Sequence, residues 1–329
     1  MKNILITSNS FGGQLDIGHK KQLIKYFEDN GCHLIWNTAD QAMSAKDIIS
    51  VDAQQLIDAI VVYSSSDEIN HEVFEHCQNL KVVSRHGVGV ENIDIVAAKR
   101  FGVEIKTTAE STGYETVADL AFALMLSLAR KVNVIDAQLR KNIWYRPISN
   151  DVWGKTLGII GIGRIGKAVV RRAKGFGMNI LAYTGHPDME YFIENGITLC
   201  SKEQLLEKSD FITLHCALNE ETRGMIGERE FSLMKPTAYL INTARSGLVN
   251  QLALIEALKN KQIAGAATDV FDIEPIVDDR LVNENLDSVV ATSHVGSYTF
   301  DLIKQMDFLV AENVVQAFDS EDQRIYSKI

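Results

Sequence analysis

Short apolar runs of four or five residues recur along the chain, separated by stretches whose apolar positions return every three to four residues. Residues 3–7, 33–36, 59–63, 81–84 and 103–106 are runs of the first kind, and their length predicts strands. Residues 18–30 show the helical period, and Gly31 stands where a helix stop is expected. Strand and helix alternate in this way over residues 1–104, which predicts a parallel sheet with helices on both faces.

Residues 113–142 break the alternation. The stretch from Val117 to Arg130 is rich in Ala and Leu and apolar nearly all round. It predicts one long buried helix, at a domain seam or in a dimer. Alternation then resumes, with strands expected at 157–160, 180–183, 211–214, 239–241, 265–268 and 289–291. Six strands with intervening helices make a complete dinucleotide-binding domain. Residues 297–318 read as one further helix, in a tail too small to fold alone, so it is expected to return to the first domain. The expected architecture is α/β, with two Rossmann-like doubly wound parallel-sheet domains. One comprises residues 1–104 and 297–329, the other 105–296, and the double crossing leaves an interdomain cleft.

The bulk composition fits that picture. The chain has 329 residues, too many for one ordinary core. A net charge of −10 argues against a general nucleic-acid or anionic-membrane binder, which needs surplus Lys and Arg. Cys32, Cys77, Cys200 and Cys216 are scattered, with no paired spacing for a metal or a redox site. With no apolar leader and no run approaching a membrane span, a reduced cytoplasmic enzyme without a metal is expected.

The chemistry begins at Gly161, Gly163 and Gly166, a G-x-G-x-x-G that includes Arg164 and Ile165. It follows an expected strand and opens an expected helix, the context that turns a weak motif into a pyrophosphate site. About 20 residues past such glycines, an acid normally binds the ribose 2′-OH of NAD. Here that position is Thr184, followed by Gly185 and His186, so a 2′-phosphate meets no repulsion. Thr184, His186 and Arg164 are potential donors to one. NADP is favoured over NAD, with Asp188 as the acid that would support NAD.

Three more residues follow expected strands, at the sheet edge where ligands of such folds bind. Arg245 offers a planar fork suited to a carboxylate beside a carbonyl, though a surface arginine would look the same. Glu274 precedes Pro275, but Asp269 and Asp272 are near, so acidity alone does not single it out. His294 has a pKa suited to proton exchange near neutrality, although one histidine among eight is more often structural.

The order of these motifs resembles the D-2-hydroxyacid dehydrogenase family, in its branch that is phosphoglycerate-dehydrogenase-like and glyoxylate/hydroxypyruvate-reductase-like. The likeness rests on the glycine loop, on Asn242-Thr-Ala-Arg-Ser-Gly-Leu-Val249, on the D-V-F-x-x-E-P run at 269–275 and on His294-Val-Gly296. Ser84-Arg-His-Gly-Val-Gly-Val-Glu-Asn-Ile-Asp94 is similar to the family's substrate loop. The run from Val117 to Leu126 is similar to its interdomain helix. The resemblance implies that Arg245 binds a 2-oxo acid, that His294 is the acid/base and that Glu274 pairs with it. It implies cofactor contacts at Val117, Thr243, Ala244 and Asp269, and a substrate carboxylate held by the backbone N–H groups of Val88 and Gly89. It also implies a homodimer and closure of the cleft during hydride transfer.

Departures bear on the substrate. Ser64-Ser-Ser-Asp67 stands where relatives acting on phosphorylated acids often carry arginine, and the basic residues Arg140, Lys141 and Arg146 lie elsewhere. Thr107-Thr-Ala-Glu-Ser-Thr-Gly113 replaces the family's usual crossing, Ser293 a common proline before the histidine, and Ala217 another proline. The resemblance thus implies a 2-hydroxyacid dehydrogenase acting on a small 2-oxo acid. The alternatives are a 3-phosphoglycerate dehydrogenase of serine synthesis and, on the same fold, a nucleotide-sensing corepressor.

Overall fold

The computed structural model describes residues 1–39, 41–276, 278–284 and 286–326. The chain divides into two compact units, Met1–Thr112 with Thr299–Ile329, and Gly113–Tyr298.

The first unit is built on β1 (Lys2–Ile6), β2 (Cys32–Trp36), β3 (Ala59–Val62), β4 (Val82–Arg85) and β5 (Glu104–Thr107). They form one parallel sheet in the order β2-β1-β3-β4-β5. Every residue of β3 and β4 is buried, as expected for strands covered on both faces. Helix Ile17–Asp29 begins where the Asp16 side chain accepts from the His19 N–H at 2.8 Å. It ends before Gly31, whose φ of +72° only glycine adopts cheaply. The tail helix, Phe300–Tyr326, packs Val310 and Val314 into the core with Ile4, Phe27 and Val82. The Ser84 hydroxyl donates to the Val310 carbonyl at 3.2 Å, and Asn313 Nδ2 to the Thr107 carbonyl at 3.2 Å.

The first unit extends beyond residue 104. β5 pairs with β4 residue for residue, Val82 opposite Glu104 through Arg85 opposite Thr107, so its backbone partners lie in the first sheet. The break falls after Thr112, and the return falls at Thr299 rather than 297.

The second unit contains β6 (Thr156–Ile160), β7 (Asn179–Tyr183), β8 (Ile197–Leu199), β9 (Phe211–Leu214), β10 (Tyr239–Asn242), β11 (Gly265–Thr268) and β12 (Val289–Ala291). All are parallel, in the order β12-β11-β10-β9-β6-β7-β8. Among the described residues of this unit there are seven strands where six were expected. The extra one, β8, is a three-residue edge strand with two exposed positions, too short to declare itself. The long helix expected over 113–142 is two helices, Gly113–Arg130 and Val132–Leu139. Lys131 separates them with φ +55°, a left-handed residue that a continuous helix does not admit. Ala118, Ala121, Phe122, Met125 and Leu128 bury the first of these helices against Leu157, Ile159 and Val169. Among the described residues, no helix is long and apolar enough to cross a membrane.

Candidate active site

The order of the second sheet reverses between β6 and β9, and the glycine loop leaves β6 at that point, where open α/β sheets bind ligands. Its glycines serve different needs. Gly161 has φ +98°, and a Cβ there would lie 2.6 Å from the Cys216 backbone nitrogen. A Cβ on Gly166 would lie 2.3 Å from the Gly161 carbonyl oxygen, so this glycine lets helix Arg164–Gly175 start against the strand. A Cβ on Gly163 would meet nothing within 4 Å. Gly163 is the N-cap and supplies no side-chain acceptor, so the helix N-terminus opens into free space. That space, with its positive dipole end, fits a pyrophosphate. Arg164 is exposed at the rim, and Ile165 packs beneath against the core.

Past β7, Thr184 is half-buried and His186 exposed. Asp188 caps helix Met189–Asn195, accepting from the Tyr191 N–H at 3.1 Å, and takes Lys167 Nζ at 2.9 Å. The hydrogen bond from Lys167, then that cap, hold its carboxyl below the usual range. The nearest acid past β7 is therefore occupied by two partners within the protein.

After β10, the Asn242 side chain accepts from the Ala244 N–H at 3.1 Å and donates to the Arg245 carbonyl at 2.9 Å. This local clamp sets the direction in which the chain leaves the strand. Thr243 beside it is buried, and its hydroxyl has no hydrogen-bond partner among the described residues. A buried hydroxyl without a partner is costly, and a polar ligand at this edge would satisfy it. With the open Gly163 N-terminus, it makes the edge fit a dinucleotide. Arg245 is half-buried and donates Nη1 to the Ala244 carbonyl at 2.8 Å.

The structure brings His294 and Glu274 together, with Nδ1 to Oε2 at 2.5 Å. The Glu274 Oε1 also accepts from the Phe271 N–H at 2.9 Å, which fixes the carboxylate while the other oxygen holds the ring. The hydrogen bond to Glu274 raises the His294 pKa, reinforced by the charges of Glu274 and Asp269 and opposed by burial and Arg245. Burial pushes Glu274 up, but hydrogen bonds from His294 and the Phe271 N–H, with the charges of His294 and Arg245, hold it lower overall. Arg245 is thus felt by both members of the pair. The His294 side chain remains 45% exposed, and its second nitrogen has no hydrogen-bond partner among the described residues.

His294 has φ +54°, a left-handed backbone that a non-glycine residue holds only under constraint. The constraint is Asp269. Its carboxylate accepts from the Thr292 hydroxyl at 2.6 Å and from the N–H groups of Val295 and Gly296 at 2.9 Å each. A Cβ on Gly296 would press on Asp269 Oδ2 at 3.1 Å and Val117 Cγ2 at 3.3 Å, so Val117 borders the same turn. Sequence reasoning gave Asp269 a cofactor contact and missed this clamp. Its signal is the acid at the end of β11, in register with the neighbouring strand that leads to the histidine.

In the first unit, the loop after β4 has its own supports. The Arg85 guanidinium donates to the carbonyls of Val62, Tyr63, His86 and Gly89 at 2.6–3.2 Å. Gly87, at φ +136°, donates its N–H to Thr108 Oγ1 at 3.0 Å, and the Thr108 N–H returns to the Gly87 carbonyl at 3.0 Å. Thr108 belongs to the unusual 107–113 segment, so that departure supports the loop. Among the described residues, no acceptor in the protein faces the N–H groups of Val88 and Gly89. Two adjacent free N–H groups suit an anion.

Residues 122–296 match the NAD binding domain of the D-isomer specific 2-hydroxyacid dehydrogenases. The chain is 42% identical over 283 residues to the glyoxylate reductase of Korarchaeum cryptofilum, covering 84% of each. It is 39% identical over 265 residues to the D-3-phosphoglycerate dehydrogenase of Methanocaldococcus jannaschii, covering 80% of this chain and 50% of that one. Among solved structures, apo D-lactate dehydrogenase of Escherichia coli is similar at TM-score 0.81 and 26% identity, over 97% of this chain and 98% of that one. A glyoxylate reductase from Paecilomyes thermophila is similar at TM-score 0.81 and 28% identity, over 96% and 95%. The chain belongs to the D-isomer specific 2-hydroxyacid dehydrogenase family and is a nicotinamide-dependent oxidoreductase.

Proposed function

We propose that this enzyme reduces small, unphosphorylated 2-oxo acids, glyoxylate foremost, using NADPH. The His294–Glu274 pair, with Arg245 felt by both, carries the reading. The bound nicotinamide supplies the hydride that the carbonyl carbon accepts. The Arg245 guanidinium orients the 2-oxo acid and polarises its carbonyl. His294 donates a proton to the carbonyl oxygen, and Glu274 stabilises the imidazolium before that step. The N–H groups of Val88 and Gly89 hold the carboxylate. Val117, Thr243, Ala244 and Asp269 line the nicotinamide end, and the glycine loop holds the pyrophosphate.

Two observations favour an unphosphorylated acid. The loop after β3 carries Ser64, Ser65 and Ser66 in place of cations, and Ser64 Oγ already accepts from the Ser66 N–H at 3.1 Å. Arg85, the nearby guanidinium, is turned onto backbone carbonyls. NADP is favoured because Thr184 brings no charge against a 2′-phosphate and Asp188 is held by Lys167. A homodimer formed through the second unit is supported by Trp144, Ile148 and Trp153, which this unit leaves largely exposed.

The test is a panel of glyoxylate, hydroxypyruvate, pyruvate and phosphohydroxypyruvate, each with NADH and NADPH. The highest kcat/KM is expected for glyoxylate with NADPH. A preference for phosphohydroxypyruvate, or for NADH, overturns the corresponding half of the proposal. Light scattering tests the dimer, and a monomeric mass refutes it.

A further inference from the structure

The first unit contains a buried polar cluster that the proposed chemistry does not use. Asp307, on the tail helix, is 0% exposed. His19 Nε2 hydrogen-bonds its Oδ2 at 2.9 Å. His86 Nε2 lies 3.1 Å from Oδ1, close enough for strong attraction though off the hydrogen-bond line. His19 and His86 are themselves 3% and 8% exposed. Each imidazole thus presents its Nε2, a nitrogen that donates in the Nε2–H tautomer, to one oxygen of the same carboxylate. Phe11 meets the His86 ring edge-on at 6.4 Å between centroids, and Tyr63 lies at 4.7 Å. The ring is therefore held by β1-, β3- and tail-helix-derived neighbours at once.

Apolar residues of equal volume would stabilise such a core at least as well as a buried ionisable group. The cluster therefore calls for a role that packing does not supply. Its location provides one. His86 is the residue between Arg85 and Gly87, two positions before Val88. Arg85 and Thr108 set the local shape of the loop, whereas the His86 side chain ties the loop to the tail helix through Asp307, and through Asp307 to helix Ile17–Asp29.

We infer that His86 is a positioning residue for substrate, holding the N–H groups of Val88 and Gly89 at the height the carboxylate requires through the His86–Asp307–His19 cluster. This rests on the reading that those N–H groups bind the substrate carboxylate. It adds a determinant of substrate affinity that touches neither substrate nor cofactor.

Steady-state kinetics on the full chain with glyoxylate and saturating NADPH test it. His86→Phe keeps the ring packing and removes the donor. It is expected to raise KM about tenfold with kcat at saturation within about twofold. His86→Gln, whose amide still donates toward Asp307, is expected to restore KM. Asp307→Leu added to His86→Phe is expected to raise KM no further, because both act through one contact. Val88→Pro, which deletes one of the N–H groups, separates the two ideas. If it leaves KM unchanged, the carboxylate reading fails, and this inference with it. If it raises KM while His86→Phe does not, only the positioning role fails. Should His86→Phe not fold, His86→Asn is compared with His86→Gln. Asn stops one bond short of Asp307, so KM must rise in Asn and not in Gln, and equal values overturn the inference.

Discussion

His294 meets Glu274 with its side chain nearly half exposed, on a backbone in the left-handed region. Asp307 meets His19 and His86 in complete burial, with no comparable backbone strain recorded at either histidine. Both are histidine–carboxylate contacts of about 3 Å or less, so pairing alone does not mark a proton-transfer site. The differences lie in access and in what the carboxylate does with its second oxygen. Glu274 uses it on a backbone N–H, which in the proposed function leaves His294 a nitrogen for substrate. Asp307 uses it on a second histidine. One arrangement presents a proton, and the other joins three pieces of chain.

The comparison is tested first at His294. His294→Asn keeps a side chain that tolerates the left-handed backbone and removes the proton group. Turnover is expected to fall by roughly 10²–10⁴-fold with cofactor affinity kept, and near-normal turnover would end the acid/base assignment. The buried partner should show the reverse profile. Asp307→Leu is expected to cost on the order of 3 kcal/mol in urea unfolding, because it leaves the buried His19 ring without its acceptor and the buried His86 ring without the carboxylate it faces. Glu274→Gln should cost under about 1 kcal/mol, as befits a partly exposed pair. Equal costs would erase the distinction. Arg245→Ala is expected to lower kcat/KM by roughly 10–100-fold, the loss of a charge-assisted hydrogen bond, and an unchanged value refutes its contact with substrate.

A pH profile sharpens the same contrast. His294 must be protonated to reduce a ketone, and Glu274 raises its pKa, so reduction is expected below that raised pKa and lost as pH rises through it. Glu274→Gln should move that limb toward lower pH. A limb that stays in place would mean that another group titrates. The smallest expected effect is at the ribose end. Thr184→Asp should shift the NADP/NAD preference toward NAD by about tenfold, and an unaltered ratio would locate cofactor choice elsewhere.

The strands and the glycine loop were legible because each is local. Their period, length and punctuation lie within a few residues. Arg245, Glu274 and His294 were legible only as an ordered set, since each alone has an ordinary alternative. The break at Lys131 was hidden because nothing in an Ala- and Leu-rich run announces a left-handed residue. The Asp307 cluster was hidden for a different reason. Its members stand at positions 19, 86 and 307, and Asp307 reads as one polar residue on a tail helix until the sheet brings β4 beneath it.

That tail helix has a consequence for biogenesis. The first sheet is synthesised early, but the helix that covers β4 and supplies Asp307 begins only at Phe300. All of Gly113–Tyr298 emerges from the ribosome in between. Vectorial synthesis usually lets the N-terminal domain fold first. Here the N-terminal strands wait with an apolar face uncovered while the second unit is made, so the first unit is finished by a helix synthesised after the whole of its neighbour.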